Sequence, residues 1–278
     1  MLWMLFESGY PKDSLLFSFA DTGNEHLITL RQVAWLSDFS RQHGGPAIET
    51  LNPELGFYDL ARKKKRFPST KARFCTEELK LKPAKEFLRK LEEEGHEILL
   101  HTGVRGAESP ERALLDERGF DSFTGMEVYR PLLKWTIEEV WAIHRKYRVP
   151  INPLYLKGAS RVGCFPCVMS NKMEMRMIAI KFPEVIERLR KEENSFTSRN
   201  NFSGFFRRTT VTENHRTKEI TTKDGKVMKV CTIDDVVRWS KTARGGKQYE
   251  IIFMETEEQD TTDEDWEATC PSLMGACE

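Results

Sequence analysis

Arg130 to Cys167 reads RPLLKWTIEEVWAIHRKYRVPINPLYLKGASRVGCFPC, and three separate signals meet in it. Leu133, Ile137, Val140, Trp141 and His144 recur at helical spacing. Thr136 stands at the N-cap position, and Glu138 and Glu139 fall in the first turn, where the helix dipole favours anions. A capped helix therefore leads in. Pro150, Asn152-Pro153 and Gly158 then break regular structure and turn the chain. The stretch ends on Cys164-Phe165-Pro166-Cys167, two thiols delivered on an ordered loop beside backbone N–H groups, as a cluster or metal site is presented.

Upstream, the pattern is one of alternating strands and helices. Ser14 to Ala20, SLLFSFA, is an almost unbroken apolar run of strand length, as expected of a parallel strand covered on both faces. Asp21-Thr22-Gly23-Asn24-Glu25-His26 follows at its carboxyl end, where open α/β sheets bind their ligands. The same string also reads as a strand-to-helix turn capped by Thr22 or Asn24. An amphipathic helix from His26 to Phe39, a Gly44-Gly45-Pro46 stop and a short strand near Ala47 to Leu51 complete this unit. Pro83 to Gly95 has helical periodicity, and Glu97 to His101, EILLH, is a second buried strand. It runs into TGVRGAESPERA, Thr102 to Ala113, where glycines let the backbone approach a ligand and Arg105 and Arg112 suit phosphate or sulfate. The bland reading is a capped helix start in which Glu108 and Arg112 pair one turn apart. Repeated βα units with right-handed crossovers imply an α/β fold: a doubly wound, mostly parallel sheet with helices on both faces.

The first residues, Met1 to Gly9, read as two turns of buried helix closed by Gly9 and Pro11. Ser8-Gly9-Tyr10-Pro11-Lys12-Asp13-Ser14 mimics a glycine-rich phosphate loop. Only six residues separate Ser14 from Asp21, however, and a parallel crossover needs about a dozen or more. We read it as a helix-to-strand turn. Asn171 to Lys191 reads as one helix with Met173, Met177, Ile180, Val185 and Leu189 on its apolar side. Asn194 to Lys218 interleaves Phe196, Phe202, Phe205 and Phe206 with Arg199, Arg207, Arg208, His215 and Arg216. That mixture suits either a stacking surface for single-stranded nucleic acid or a loop packing its phenylalanines on the main domain. Lys218 to Thr232 reads as a β-hairpin turning at Asp224-Gly225, and Thr232 with Asp235 as the capping box of a short helix. The expected organisation is an α/β domain over residues 1–192, an appendage with the hairpin over 193–254, and an acidic linker with a cysteine-bearing tail over 255–278.

Bulk properties exclude some function classes. The 278 residues include 43 basic and 43 acidic side chains, so no global field recruits nucleic acid or membrane. A basic footprint must be local, and Lys63, Lys64, Lys65, Arg66, Lys71 and Arg73 form one just before Cys75, where it would favour the thiolate. Six cysteines, in a chain with no signal peptide and no membrane-spanning apolar run, imply a reducing cytoplasm. There, spaced thiols ligate metal or do redox chemistry more often than they form structural disulfides.

Four elements occur in one order: Asp21-Thr22-Gly23; Cys75-Thr76-x-x-x-Lys80-x-x-Pro83; Gly103-x-Arg105-x-x-Glu108-Ser109-x-x-Arg112-Ala113; and Pro131-Leu132-Leu133 through Pro150-x-Asn152-Pro153-Leu154-Tyr155 to Gly163-Cys164-x-Pro166-Cys167. This string, covering roughly Leu2 to Met169, resembles the phosphoadenosine phosphosulfate (PAPS) reductase family of the adenine nucleotide alpha-hydrolase-like (PP-loop) superfamily. The resemblance implies an adenine nucleotide or sulfonucleotide substrate bound by Asp21, Thr22, Gly23, Gly103, Arg105, Glu108, Ser109 and Arg112. It implies an iron–sulfur cluster on Cys75, Cys164 and Cys167, with zinc as the alternative. A thiol electron donor would serve reduction.

Departures from the family pattern bear on what the chain does. The SGGKDS phosphate loop is not present, Thr76 stands where cluster-bearing relatives carry a second cysteine, and the ECGLH-like nucleophile motif is replaced by the sequence around Cys270 and Cys277. Either of those tail cysteines would complete the cluster or serve as catalytic nucleophile. The leading expectation is sulfur transfer or reduction near the cluster. ATP-dependent thiolation of tRNA or DNA, and non-catalytic nucleotide or nucleic-acid binding by a metal-stabilised protein, are the alternatives.

Overall fold

The computed structural model describes residues 1–196, 202–206 and 210–242. Helix α1 (Leu2–Phe6) buries Leu2 and Leu5 and leads through Gly9 and a short 3₁₀ turn at Lys12–Ser14 into β1 (Phe17–Ala20). Ser8 to Ser14 is thus a helix-to-strand turn. Helix α2 (Leu27–Gln42) crosses to β2 (Ile48–Leu51), which pairs with β1 in parallel, Phe17 opposite Ile48 and Ala20 opposite Leu51. This βαβ unit sets the direction of the fold.

Helix α3 (Phe57–Lys64) follows. A helical turn α4 (Phe74–Thr76) then runs through a π turn at Glu77–Leu81 into α5 (Lys82–Glu93). Strand β3 (Leu99–His101) leads through a 3₁₀ turn at Gly106–Glu108 to α6 (Pro110–Ala113). Strands β4 (Arg118–Asp121) and β5 (Met126–Tyr129) form an antiparallel pair, and β5 lies parallel to β3 between its two neighbours. The α/β class is confirmed, with parallel pairing across both crossovers. Among the described residues the ladder comes in two pieces, β1–β2 and β3–β5–β4. Two-sided cover of the first strand is incomplete, since Phe17, Phe19 and Ala20 are half-buried and Ser18 is exposed.

Helix α7 (Ile137–Lys146) starts at the expected Thr136 N-cap, which also forms a capping box with Glu139, and α8 (Pro153–Leu156) is capped by Asn152. The single helix expected over Asn171 to Lys191 is instead two, α9 (Lys172–Lys181) and α10 (Pro183–Ser195). Pro183 brings no N–H and disfavours helical backbone at Phe182, which sits at φ −138°, ψ 59°. The break shifts the apolar phase: Met175, Ile178, Ile186 and Leu189 are buried, whereas Met173 and Ile180 face water. Strands β6 (Lys218–Thr221) and β7 (Val227–Val230) form the expected hairpin, followed by α11 (Ile233–Ser240) with its Thr232–Asp235 capping box.

One apolar cluster gathers these parts. It joins Phe57, Leu60 and Ala61 of α3, Leu79, Leu154, Phe165, Met175, Ile178 and Leu189 to Phe205, Phe206, Cys231, Ile233 and Val236. Phe205 and Phe206 are buried core residues and Phe196 packs against the same cluster, so these rings are not a stacking surface, whereas Phe202 is half-buried beneath Lys218. Arg199, Arg207 and Arg208 lie outside the described residues. No helix among the described residues is long and apolar enough to cross a membrane.

Candidate functional site

The carboxyl end of β1 and the cysteine loop are stitched together by the backbone. Asp21 N–H donates to Leu51 O at 3.1 Å, which carries the β1–β2 ladder one step further. The chain then turns sharply: Gly23 N–H donates to Asp21 Oδ1 at 2.8 Å with Gly23 at φ +71°, and Phe57 N–H donates to Thr22 O at 2.8 Å. A Cβ on Gly23 would come 3.3 Å from Gly56 Cα, so this turn requires glycine for both its φ and its closeness to the start of α3. Thr22 and Asn24 are buried beneath it.

Asn24 and Glu25 then face the cysteine loop. Phe165 N–H donates to Asn24 O at 2.6 Å, Asn24 Nδ2 donates to Pro166 O at 3.0 Å, and Glu25 forms an isolated antiparallel bridge with Cys164. The Glu25 carboxylate accepts from Thr22 N–H at 2.8 Å and from the Thr22 hydroxyl at 2.8 Å. Cys164 Sγ lies 3.6 Å from both Glu25 Oε1 and Thr22 Oγ1. Glu25 is a site residue that the sequence reading passed over. Its signal was the Thr-x-x-Glu spacing of Thr22 and Glu25, the same pattern by which a side chain reaches back to an orphan N–H at a helix start.

Cys167 lies at the other end of the loop, where its Sγ accepts from Met169 N–H at 3.4 Å. Cys75 sits on α4, partly buried against the same core as Cys167. Burial raises the Cys75 thiol, and the neighbouring Cys167 raises it further. Burial likewise raises Cys164 against the opposing charge of Lys80, and raises Glu25. The expectation that the basic run favours a Cys75 thiolate is therefore corrected: desolvation outweighs it, and the run is exposed. Lys80, carried by the π turn, is the cation whose field reaches Cys75, Cys164 and Glu25 alike. π turns of this kind recur at functional sites.

Gly103 to Arg112 follow β3 as expected of a strand-end loop, but their charges close on one another. Arg105 Nε lies 3.5 Å from a Glu108 oxygen, and Arg112 pairs with the other oxygen of Glu108. Ser109 caps α6 by accepting from Arg112 N–H. Gly106 N–H donates to Leu133 O at 2.7 Å, which ties this loop to the stretch before α7. The structure thus brings Asp21, Thr22, Glu25, Cys75, Cys164 and Cys167 into one neighbourhood and holds Arg105, Glu108, Ser109 and Arg112 as a second, self-paired cluster. Cys270 and Cys277 lie outside the described residues.

Among the described residues no three His, Cys, Asp or Glu side chains are close enough together to hold a metal ion. A single zinc needs four ligand atoms within about 2.3 Å of one centre, so this arrangement does not fit it. Cys75, Cys164 and Cys167 are free thiols, the soft donor type that iron–sulfur clusters take. A separate cavity of about 450 Å³ lies between α10, β6 and α11. Its cations are already engaged, Arg190 with Asp234, Arg238 with Asp235, and Lys218 over the Phe202 ring.

Parallel βα units with loops at the strand ends, joined to a paired-cysteine loop, define an α/β protein with its candidate site at the carboxyl end of β1. Residues 1–170 match the phosphoadenosine phosphosulfate reductase domain, and the chain belongs to that family. It is 33 % identical to an uncharacterised 37.8 kDa protein of Escherichia phage 186, over 90 % of this chain and 87 % of that one. It is 30 % identical to an uncharacterised protein of Methanocaldococcus jannaschii, over 66 % of this chain and 37 % of that one. It is 38 % identical to the adenosine 5'-phosphosulfate reductase of Allochromatium vinosum, over 53 % of this chain and 56 % of the reductase.

Proposed function

We propose that the chain binds an adenine nucleotide or sulfonucleotide between the Asp21-Thr22-Gly23 turn and the Gly103–Arg112 loop, and carries out sulfur transfer or reduction at the adjoining thiols. The observation that supports this reading is the 3.6 Å approach of Cys164 Sγ to Thr22 Oγ1, which sets the strand-end turn beside the cysteine loop. The name of the Allochromatium relative supports the substrate class. Cys75, Cys164 and Cys167 would hold an iron–sulfur cluster, which when bound supplies electrons or iron for sulfur chemistry. Arg105 and Arg112 would exchange Glu108 for the phosphate–sulfate anion, a stronger partner because it offers more charge and more acceptor oxygens. Cys270 or Cys277 would supply the nucleophilic thiol, and an external thiol donor would return the enzyme to its reduced form.

Titration calorimetry with adenosine 5'-phosphosulfate and with adenosine monophosphate tests the reading. Wild type should prefer the sulfonucleotide, and Arg105→Ala should weaken binding about 10- to 100-fold, as expected for one charge-assisted contact. Absence of binding to either nucleotide would overturn it. A second reading, thiolation of tRNA or DNA, is favoured by the exposed basic run Lys63, Lys65, Lys71 and Arg73 close to Cys75. Salt-dependent tRNA binding lost on reversing those four charges would select it.

A further inference from the structure

We infer that two copies of this chain pair through the outer edge of β4, antiparallel and about a two-fold axis, so that the β3–β5–β4 sheet of one copy continues into that of the other.

The strand order ends at β4, so one side of β4 carries backbone groups that no strand among the described residues takes up. The ladder shows which groups these are. Arg130 N–H donates to Glu117 O at 2.7 Å, one step beyond the Arg118–Tyr129 pair of the β4–β5 register. In an antiparallel pair every second residue exchanges both of its bonds with the residue opposite. Glu117, Gly119 and Asp121 therefore turn their peptide groups toward β5, and Arg118 and Phe120 turn theirs outward. Every residue from Glu111 to Phe120 is exposed, with Leu114 at 86 % and Phe120 at 66 %. The edge is open as well as unpaired.

This edge is complementary to itself. Under two-fold symmetry, a residue that meets another is met by it in return. Centring the pair on Gly119 sets Arg118 opposite the second copy's Phe120, and Phe120 opposite the second copy's Arg118. Each of these pairs exchanges two backbone bonds, so all the outward groups of the strand are used at once. Side chains directly opposite share a face. Arg118 already lies over the Tyr129 ring at 4.8 Å, and the second copy's Phe120 reaches the same guanidinium from the side away from β5. At the centre, glycine meets glycine, with no Cβ on either strand to hold the backbones apart. Glu117 and Asp121 fall opposite one another in this register, but each is engaged within its own copy. Glu117 pairs with Lys134 at 3.3 Å, and Asp121 Oδ1 accepts from Phe123 N–H and Thr124 N–H. Centring on Phe120 instead would carry Arg118 past the end of the strand, opposite Ser122. An unrelated strand could satisfy the backbone, but only a second copy supplies a ring for each arginine and an arginine for each ring.

Sedimentation velocity on the full chain from roughly 1 to 200 µM tests this, a range suited to a small interface. Wild type should pass from monomer to dimer and stop at two copies. Phe120→Pro removes an outward N–H that β5 does not use, so it should keep the thermal transition and leave the chain monomeric throughout. Arg118→Glu should weaken the dimer about tenfold or more, through loss of both ring contacts. If the proline variant does not fold, Arg118→Glu, an exposed substitution, decides alone. Wild type that stays monomeric, association that runs beyond two copies, or a dimer unchanged in either folded variant would overturn the inference.

Discussion

Thr22 has one hydroxyl proton and sits, fully buried, between a carboxylate and a thiol. Thr22→Val keeps the shape and removes the donor, leaving the half-buried Glu25 carboxylate short of a partner. Chemical denaturation should register a loss of about 1–3 kcal/mol, while Thr22→Ser stays close to wild type. A second buried carboxylate controls pH dependence. Glu193 accepts from Phe205 N–H and Ile233 N–H, both at 2.8 Å, and burial pushes its pKa up to about 7. Between the ordinary carboxylate range and pH 7 the folded chain keeps a proton that the unfolded chain releases. Its contribution is therefore fully present at low pH and lost as pH rises through about 7. Urea titrations across that range should show stability falling by up to about 3 kcal/mol from this group, and the slope should vanish in Glu193→Gln. At this scale the sequence disclosed identities better than states. Asp21, Thr22 and Gly23 stand at a strand end as their order implied, whereas the upward push that burial gives the Cys75 and Cys164 thiols is something no local string records.

The loop after β3 shows how an element can be legible while its resting state is not. TGVRGAESPERA announces a strand end, glycines and a capped helix start, and all three are present. The Glu108–Arg112 pair was readable from spacing, but that Glu108 also takes Arg105 depends on the loop's fold, which in turn depends on Gly106. A Cβ there would meet Leu133 O at 3.1 Å and Ala113 Cα at 3.4 Å, both backbone atoms with little room to give. Gly106→Ala should thus displace the loop from the α7 approach and weaken nucleotide binding about tenfold in calorimetry, with thermal stability reduced by only a few degrees. Elsewhere Pro183 was a readable stop inside an apolar pattern that looked continuous, and the β4–β5 hairpin was missed. Its signal lay in Asp121 and Gly125: Asp121 Oδ1 accepts from Phe123 N–H and Thr124 N–H, and Gly125 adopts φ +84°.

Over the whole molecule, the decisive fact is that one apolar cluster runs from the α3 helix beside the ligand turn to the hairpin and α11. Composition and spacing place residues 193–254 outside the α/β unit, because aromatic-basic interleaving looks alike whether the rings face water or core. Phe205 decides between these. It packs 5.2 Å from Phe67 and 6.1 Å from Phe57, and its own N–H is held by the buried Glu193. Phe205→Ala should therefore cost about 3–5 kcal/mol, the range for a buried aromatic, and should lower the whole unfolding transition rather than split off a separate one. Affinity for a single-stranded oligonucleotide at low salt should be unaffected in that variant below its melting temperature, since a ring in the core has no face to offer a base. Two resolved transitions, or oligonucleotide binding lost in the folded variant, would mean that the segment acts as an independent binding surface. A single lowered transition would make it part of the support for Phe57 and the Gly56–Phe57 backbone against which the Thr22–Gly23 turn is built.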